Sequence, residues 1–153
     1  MKKGILVLPI LMLGLTGCGG SEKAEKITCT NSTNDVVSGY STESEYIINY
    51  KGKNVDSVET VETVTSDNEE VLSAVETQLN TMYGKTNETY GGYTYNIENK
   101  DGKVVAKVTI DYNKMDLDQY VKDQPSLKTF VKDGKMQLDG VKTLYETMGA
   151  TCK

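Results

Sequence analysis

Three aspartates are the side chains of this chain best spaced for chemistry. Asp111, Asp116 and Asp118 lie close together in sequence, near the end of a predicted strand. Such a group can hold a cation or act as an acid–base pair of carboxylates. The spacing lacks the glycine and the closing glutamate of a calcium loop, and a glycosidase needs a carboxylate separation that sequence does not define. We therefore predict no metal and no cofactor, assign no catalytic residue, and keep a small carboxylate-dependent cell-wall hydrolase as the alternative function.

Missing residue types narrow the chemistry further. The chain contains no histidine, arginine or tryptophan. Without histidine there is no Ser–His–Asp relay and no imidazole metal site, and without arginine there is no bidentate clamp for phosphate. The net charge is −5, and because residues 1–17 contain Lys2 and Lys3 but no acid, the remainder has a net charge of −7. This acidic, chemically simple chain is predicted to be non-enzymatic and to bind no nucleic acid.

Tyrosines are the residues that can form a ligand-binding surface. The chain has 10 of them, and Tyr90, Tyr93 and Tyr95 surround the pair Gly91–Gly92. Aromatic faces stack on sugar rings or contact peptides, so these three are candidate ligand-stacking residues. Tyrosines on strands also pack in cores, and that structural role is the alternative.

The beginning of the chain has the order of an export signal. Lys2 and Lys3 precede an uncharged apolar run over residues 4–15, and small residues follow it. The apolar run is too short to span a bilayer. The four residues at the end of this signal-like segment, Leu15-Thr16-Gly17-Cys18, resemble the lipobox of bacterial lipoprotein precursors. The resemblance implies cleavage before Cys18 and a diacylglycerol on the Cys18 thiol, which anchors the protein in the cell membrane on its extracytoplasmic side.

The rest of the chain is divided by composition. Residues 18–26 are small and charged without periodicity, which predicts a flexible, lipid-anchored tether. Residues 27–153 are predicted to form a single domain, the natural number at this length.

Two cysteines remain once Cys18 carries lipid. Cys29 and Cys152 lie near the two ends of the predicted domain. Exported domains meet oxidising conditions, so we predict a disulfide that joins the end of the last helix to the first strand. The alternative is that both are buried free cysteines that act as small apolar residues.

Hydrophobic periodicity predicts the elements that must position these residues. Strands are predicted over residues 27–33, 44–50, 55–64, 93–97 and 104–112, the third of them bulged, with hairpin turns at 51–54 and 99–102. A helix is predicted from the capping box at Ser66 to Gly84, followed by a polar loop, and residues 116–122 are predicted to form a helical turn.

A last helix completes the predicted fold. It begins near Asp139, ends at Gly149, and buries four residues, Val141, Leu144, Tyr145 and Met148. Strands joined mainly by hairpins, together with two helices, predict an α+β fold: an antiparallel β-sheet with two α-helices packed on one face.

Three segments resemble one known family. They are residues 50–55 (YKGKNV), 110–118 (IDYNKMDLD) and 140–149 (GVKTLYETMG). These segments resemble the YehR-like lipoproteins, small bacterial envelope proteins of unknown function. The resemblance implies a compact α+β fold and a lipid anchor, and it supplies no catalytic residue. We expect a non-enzymatic extracytoplasmic binding or interaction module, held to the membrane through the diacylglycerol on Cys18, whose partner is an envelope protein or a cell-wall ligand.

Overall fold

An antiparallel sheet forms the frame of the protein. The structure is a computed structural model, and it describes residues 22–35 and 39–153. Six strands build it: β1 (Ala24–Asp35), β2 (Tyr40–Lys51), β3 (Asn54–Thr65), β4 (Tyr93–Lys100), β5 (Lys103–Asp111) and β8 (Thr151–Cys152). Their order in the sheet is β4-β5-β3-β2-β1-β8. The predicted signal peptide and Cys18 lie outside the described residues.

Helices and one short hairpin complete the described part of the chain. They are α1 (Glu69–Tyr90), α2 (Leu117–Asp123), a 3-10 helix (Pro125–Phe130), the hairpin β6 (Val131–Lys132) and β7 (Lys135–Met136), and α3 (Leu138–Thr147). The predicted α+β class and antiparallel sheet are therefore confirmed. None of the described helices combines the length and the apolar character needed to cross a membrane.

The hairpin β2–β3 contains the predicted bulge. Asn49 is opposite Ser57, whereas Tyr50 is opposite Val55, so Asp56 is the extra residue on β3. A bulge of this kind explains why the valines of this strand do not alternate regularly in sequence. The strand β1 starts at Ala24, three residues before the predicted domain boundary.

Two groups of buried side chains stabilise the sheet. The first packs α3 and the segment after β5 on β1, β2 and β3, and includes Ile48, Val58 and Val141. The second packs α1 on β3 and β5, and includes Leu72, Leu79 and Val104. Each element thus buries an apolar side, and that burial is the main stabilising contribution to the fold.

The end of α3 differs from the prediction. Tyr145 is buried, and its ring stacks on Tyr46 with the centroids 4.2 Å apart. Met148, predicted to be buried, is 55% exposed because α3 ends at Thr147 and the chain turns at Gly149, whose φ is +91°. The C-cap position points Met148 to solvent while the chain turns back toward the sheet.

The helix α1 is longer than predicted. Its N-cap is Asn68, whose side chain accepts a hydrogen bond from the Glu70 N–H. It continues past Gly84, the predicted end, to Tyr90. A Cβ at Gly84 would lie 3.2 Å from the Tyr95 hydroxyl, so glycine serves close packing there and does not end the helix. The actual end is Gly91, with φ at +67° and its N–H bonded to Asn87 O at 2.8 Å.

The structure contains the predicted disulfide between Cys29 and Cys152. The two cysteines are directly opposite each other in the β1–β8 pair, and Thr28 and Lys153 exchange two backbone hydrogen bonds of 3.1 and 2.9 Å. The short strand β8, which was not predicted, carries the bond. It ties the segment after α3 to the edge of the sheet, as expected.

Candidate functional site

A cleft of about 310 Å³ opens between α1, α2 and the start of β4. We call it the tyrosine cleft. Its lining residues come from these elements and from the segment after α2: Met82, Tyr83, Lys85, Thr86, Thr89, Tyr90, Tyr93, Tyr120 and Gln124. The volume is at the lower end of the range of small-molecule sites, which fits one or two ring-sized groups.

Aromatic rings line the floor and one wall of the tyrosine cleft. Tyr90 and Tyr120 meet edge to face, with centroids 5.1 Å apart and an interplanar angle of 77°. Tyr83 lies beneath, 6.5 Å from Tyr93 and 5.9 Å from Tyr95. These separations are within the range of favourable aromatic pairs, so the rings hold one another in fixed orientations.

Polar groups stand at the rim of the tyrosine cleft. The Tyr90 hydroxyl donates to Asp123 Oδ2 at 3.1 Å, and Gln119 Nε2 donates to both Asp123 oxygens at 2.9 Å. The carboxylate and amide are thus beside an aromatic wall, the combination that gives a small-molecule site both contact area and orientation.

The tyrosines that line the cleft, Tyr83, Tyr90, Tyr93 and Tyr120, have raised pKa values and are neutral at physiological pH. Burial raises the pKa of Tyr83 to about 12 and raises the pKa of Tyr93 and Tyr120 as well. Burying a phenol disfavours its ionised form, which is the cause of each shift. The cleft therefore offers hydroxyl groups that donate and accept hydrogen bonds, and no phenolate nucleophile.

The turn after α1 joins the two walls. Gly91 and Gly92 both have positive φ, +67° and +76°. At Gly92 a Cβ would lie 2.7 Å from the Asp111 carbonyl oxygen, so only glycine lets the chain pass this close. The Asp116 N–H then bonds to Tyr90 O at 2.8 Å, which fixes the start of α2 against the end of α1.

The structure brings two of the three predicted stacking residues into this cleft. Tyr90 and Tyr93 line it, whereas Tyr95 contacts Tyr83 behind it. Sequence reasoning assigned none of the other lining residues to a site: Met82 and Tyr83 were predicted on the apolar face of the first helix, and Tyr120 within the helical turn 116–122. Met82 is 44% exposed in the structure. In the sequence, its position beside Tyr83 and shortly before the other tyrosines was a usable signal.

The predicted aspartates do not converge on one site. Asp111 forms an ion pair with Lys114 at 2.9 Å, Asp116 caps α2 by accepting from the Gln119 N–H, and Asp118 is exposed. The hydrogen bond from Lys114 lowers the pKa of Asp111. Within residues 22–35 and 39–153, no cluster of three or more potential ligands could hold a metal ion.

Two solved structures have folds similar to this chain. The NMR structure of the E. coli YehR protein is 14% identical with a TM-score of 0.53, over 86% of this chain and 91% of that chain. The NMR structure of a protein from Streptococcus pneumoniae TIGR4 is also 14% identical, with a TM-score of 0.49 over 100% of this chain and 97% of that chain. No family model and no curated protein matches the chain. The likeness to YehR supports a common fold.

Proposed function

We propose that this protein is a lipid-anchored, non-enzymatic binding module of the bacterial cell envelope, and that it holds a cell-wall sugar in the tyrosine cleft. The observation that carries the proposal is the cleft itself, in which Tyr90 and Tyr120 form an aromatic wall beside the Asp123 carboxylate. A sugar ring has an apolar C–H face and polar edges. The aromatic wall matches the face, and the carboxylate and amide at the rim match the hydroxyls.

The extracytoplasmic location is supported by features at both ends of the chain. The lipobox-like segment 15–18 follows an export-type signal, which supports acylation at Cys18. The Cys29–Cys152 disulfide fits an oxidising compartment. Because β1 starts at Ala24, only residues 19–23 separate Cys18 from the fold, a reach of at most about 20 Å. The domain would therefore stay close to the membrane surface.

The fold likeness to the E. coli YehR protein supports membership of the YehR-like family.

We also infer that the helices α1 and α3 pack on the same face of the sheet. Ile48, Val58 and Ile110 are directly opposite one another across β2, β3 and β5, so they point to one face. Ile48 and Val58 pack with α3. Val108 packs with α1 and, two residues from Ile110 on the same strand, points to that face too.

The alternative, a carboxylate-dependent hydrolase, has weaker support. Glycoside hydrolysis needs a protonated carboxylic acid with a raised pKa near a second carboxylate. Asp111 and Asp56 interact, but the pKa of each is lowered by a hydrogen bond from a lysine, Lys114 and Lys51 respectively. Both therefore stay ionised at neutral pH, and neither is suited to donate a proton.

A binding experiment with matched tyrosine variants tests the proposal. Soluble oligosaccharide fragments of peptidoglycan are titrated into the wild type, Tyr90→Ala, Tyr120→Ala and a control, Tyr50→Ala. Tyr50 is also partly buried, but it contacts Glu25 on the neighbouring strand β1, away from the cleft. Removing one wall of a stacking site is expected to weaken binding about tenfold, or about 1.4 kcal/mol, while Tyr50→Ala leaves it unchanged.

Two results would contradict the proposal. Equal affinity of all four proteins, or no binding at millimolar sugar, would exclude the tyrosine cleft as a glycan site. Release of reducing sugars from peptidoglycan that is lost in Asp111→Asn would instead support the hydrolase.

A further inference from the structure

The strand β4 forms one edge of the sheet. Among the described strands it pairs with β5 alone, from Tyr93 opposite Ile110 to Lys100 opposite Lys103. The pairing is regular along its whole length, without a bulge, and the strand contains no proline. Long, flat edge strands of this type are templates for pairing with another strand, and proteins usually protect them.

The hydrogen-bonding groups at this edge can be assigned. The Tyr93 N–H donates to the Asn87 side chain at 3.1 Å, so it points away from β5. Because alternate residues of an edge strand point their backbone groups outward, the N–H and C=O of Tyr95, Ile97 and Asn99 also point away from β5. Among the described residues, none hydrogen-bonds to these outward groups. They are spaced to pair with an extended chain.

One side of α1 runs along the same edge and forms the second wall of a groove. Glu76 accepts a hydrogen bond from Asn99 Nδ2 at 3.0 Å near the end of β4, and Asn87 binds Tyr93 near its start. Glu76, Asn80 and Asn87 share one side of the helix. At the far end, a cavity of about 600 Å³ continues the groove between the first turns of α1 and the β4–β5 turn, with Glu69, Ser73 and Asn99 in its lining.

The groove is acidic. Glu76 is held by the Asn99 amide at 3.0 Å and forms no ion pair among the described residues. Glu69 adds a second carboxylate in the cavity. Because Asn99 points to α1, the neighbouring Glu98 points to the opposite face of the sheet and lies outside the groove. The nearby Lys100 is paired with Asp101 at 3.7 Å. A cationic occupant would therefore find two carboxylates not paired with a described lysine.

We propose that the β4 edge binds an extended, lysine- or arginine-bearing segment of a partner protein, which adds to the sheet beside β4 and lies against α1. Main-chain hydrogen bonds to Tyr95, Ile97 and Asn99 provide affinity, and alternate basic side chains, which point to the α1 side of the added strand, reach Glu76 and Glu69. A second copy of this chain fits less well. Two β4 strands paired antiparallel about Ile97 would bring their Glu98 carboxylates diagonally together, and like charges across strands are destabilising.

Hydrogen exchange of the full chain, purified in detergent micelles, tests the proposal. The probe is an acetylated, amidated peptide of alternating lysine and valine. One control peptide keeps the lysines and has proline in place of the central valines, and the other has glutamate in place of lysine. We expect the lysine peptide alone to slow exchange of the Tyr95, Ile97 and Asn99 amides at least tenfold. The variant Glu69→Gln/Glu76→Gln should weaken binding at least tenfold, while Glu43→Gln/Glu45→Gln, the same charge change on β2, should not.

The proposal would be overturned by the absence of binding at millimolar peptide, by equal binding of the proline-containing peptide, or by protection that maps away from the β4 edge. Protection of the edge amides that appears without peptide and grows with protein concentration would overturn it too, because it would assign the edge to a second copy of the chain.

Discussion

Reducing the disulfide between Cys29 and Cys152 should remove a large part of the stability of this domain. The two residues are 123 apart in sequence. In the chain-entropy treatment, closing a loop of this length lowers the free energy of folding by about 5 kcal/mol, as an upper figure. Domains of this size have free energies of unfolding of about 5 to 15 kcal/mol. The reduced protein should therefore be marginal, and its short strand β8 should separate from β1 first.

Urea unfolding measures the effect directly. The wild type is compared with and without reductant, and with the variant Cys29→Ala/Cys152→Ala, whose midpoint should not respond to reductant. With an m-value of about 2 kcal/mol/M, losing about 5 kcal/mol lowers the midpoint by about 2 to 3 M. Amide exchange at Lys153, whose N–H bonds to Thr28 O in the native state, should accelerate on reduction.

Intact mass and alkylation separate the two ways in which this reasoning can fail. If both thiols alkylate in the denatured, unreduced protein, the cysteines are not bonded and act as small apolar residues. If the bond is present but the reduced and oxidised proteins share one midpoint, loop closure is not what stabilises the domain.

Three further outcomes are expected. Metabolic labelling with a fatty-acid analogue should mark the wild type, while Cys18→Ser loses the label and accumulates as uncleaved precursor; equal labelling would exclude acylation at Cys18. Gly92→Ala should lower the free energy of unfolding, measured in urea, by at least about 3 kcal/mol, because it adds a clash with a backbone oxygen to the strain of positive φ. Gly134→Ala is the control: this residue also has positive φ but no described atom within 4 Å, and the loss should be about 1 kcal/mol. Burial raises the pKa of Glu62, so the native state binds its proton more tightly than the unfolded state does. Stability should therefore fall as the pH rises from the ordinary value of 4.5 through the raised pKa. Glu62→Gln should flatten that part of the profile of stability against pH, and an unchanged profile would contradict the assignment.

Local patterns predicted the strands well, because each hairpin carries its own signals. The turn at 51–54, the bulged third strand and the alternation of β5 all appear in the structure. The strand β8 could not be predicted in the same way. Its two residues have no periodicity, and it exists because the disulfide and the Thr28–Lys153 hydrogen bonds hold it against β1. Only the cysteine count pointed to that contact.

The helical wall of the tyrosine cleft was not predicted for one identifiable reason: the predicted end of α1 was wrong. Ending the helix at Gly84 turned Lys85, Thr86 and Thr89 into a polar loop, although they form the helical wall of the cleft. The Thr86 and Thr89 hydroxyls bond to carbonyls four residues back, at 2.7 and 2.8 Å, which satisfies them within the helix. A glycine inside a helix destabilises the helix by about 1 kcal/mol relative to alanine. Packing against Tyr95 can offset this cost at Gly84, but the sequence alone does not reveal that contact.

The same boundary decides how the tyrosines divide between core and site. With α1 extended to Tyr90, its last turn meets α2, and Tyr90 and Tyr120 are held partly exposed at the rim. Tyr112 and Tyr145 are buried in the first core group, where burial raises the pKa of both phenols. Packing in the core is therefore the role of Tyr112 and Tyr145, whereas ligand stacking by Tyr90 and Tyr93 stays a prediction. Because Tyr90 and Tyr120 keep accessible ring surface, truncating them should affect a ligand more than stability. Tyr145→Ala should instead mainly destabilise the fold, by about 3 to 5 kcal/mol as for other buried aromatic residues.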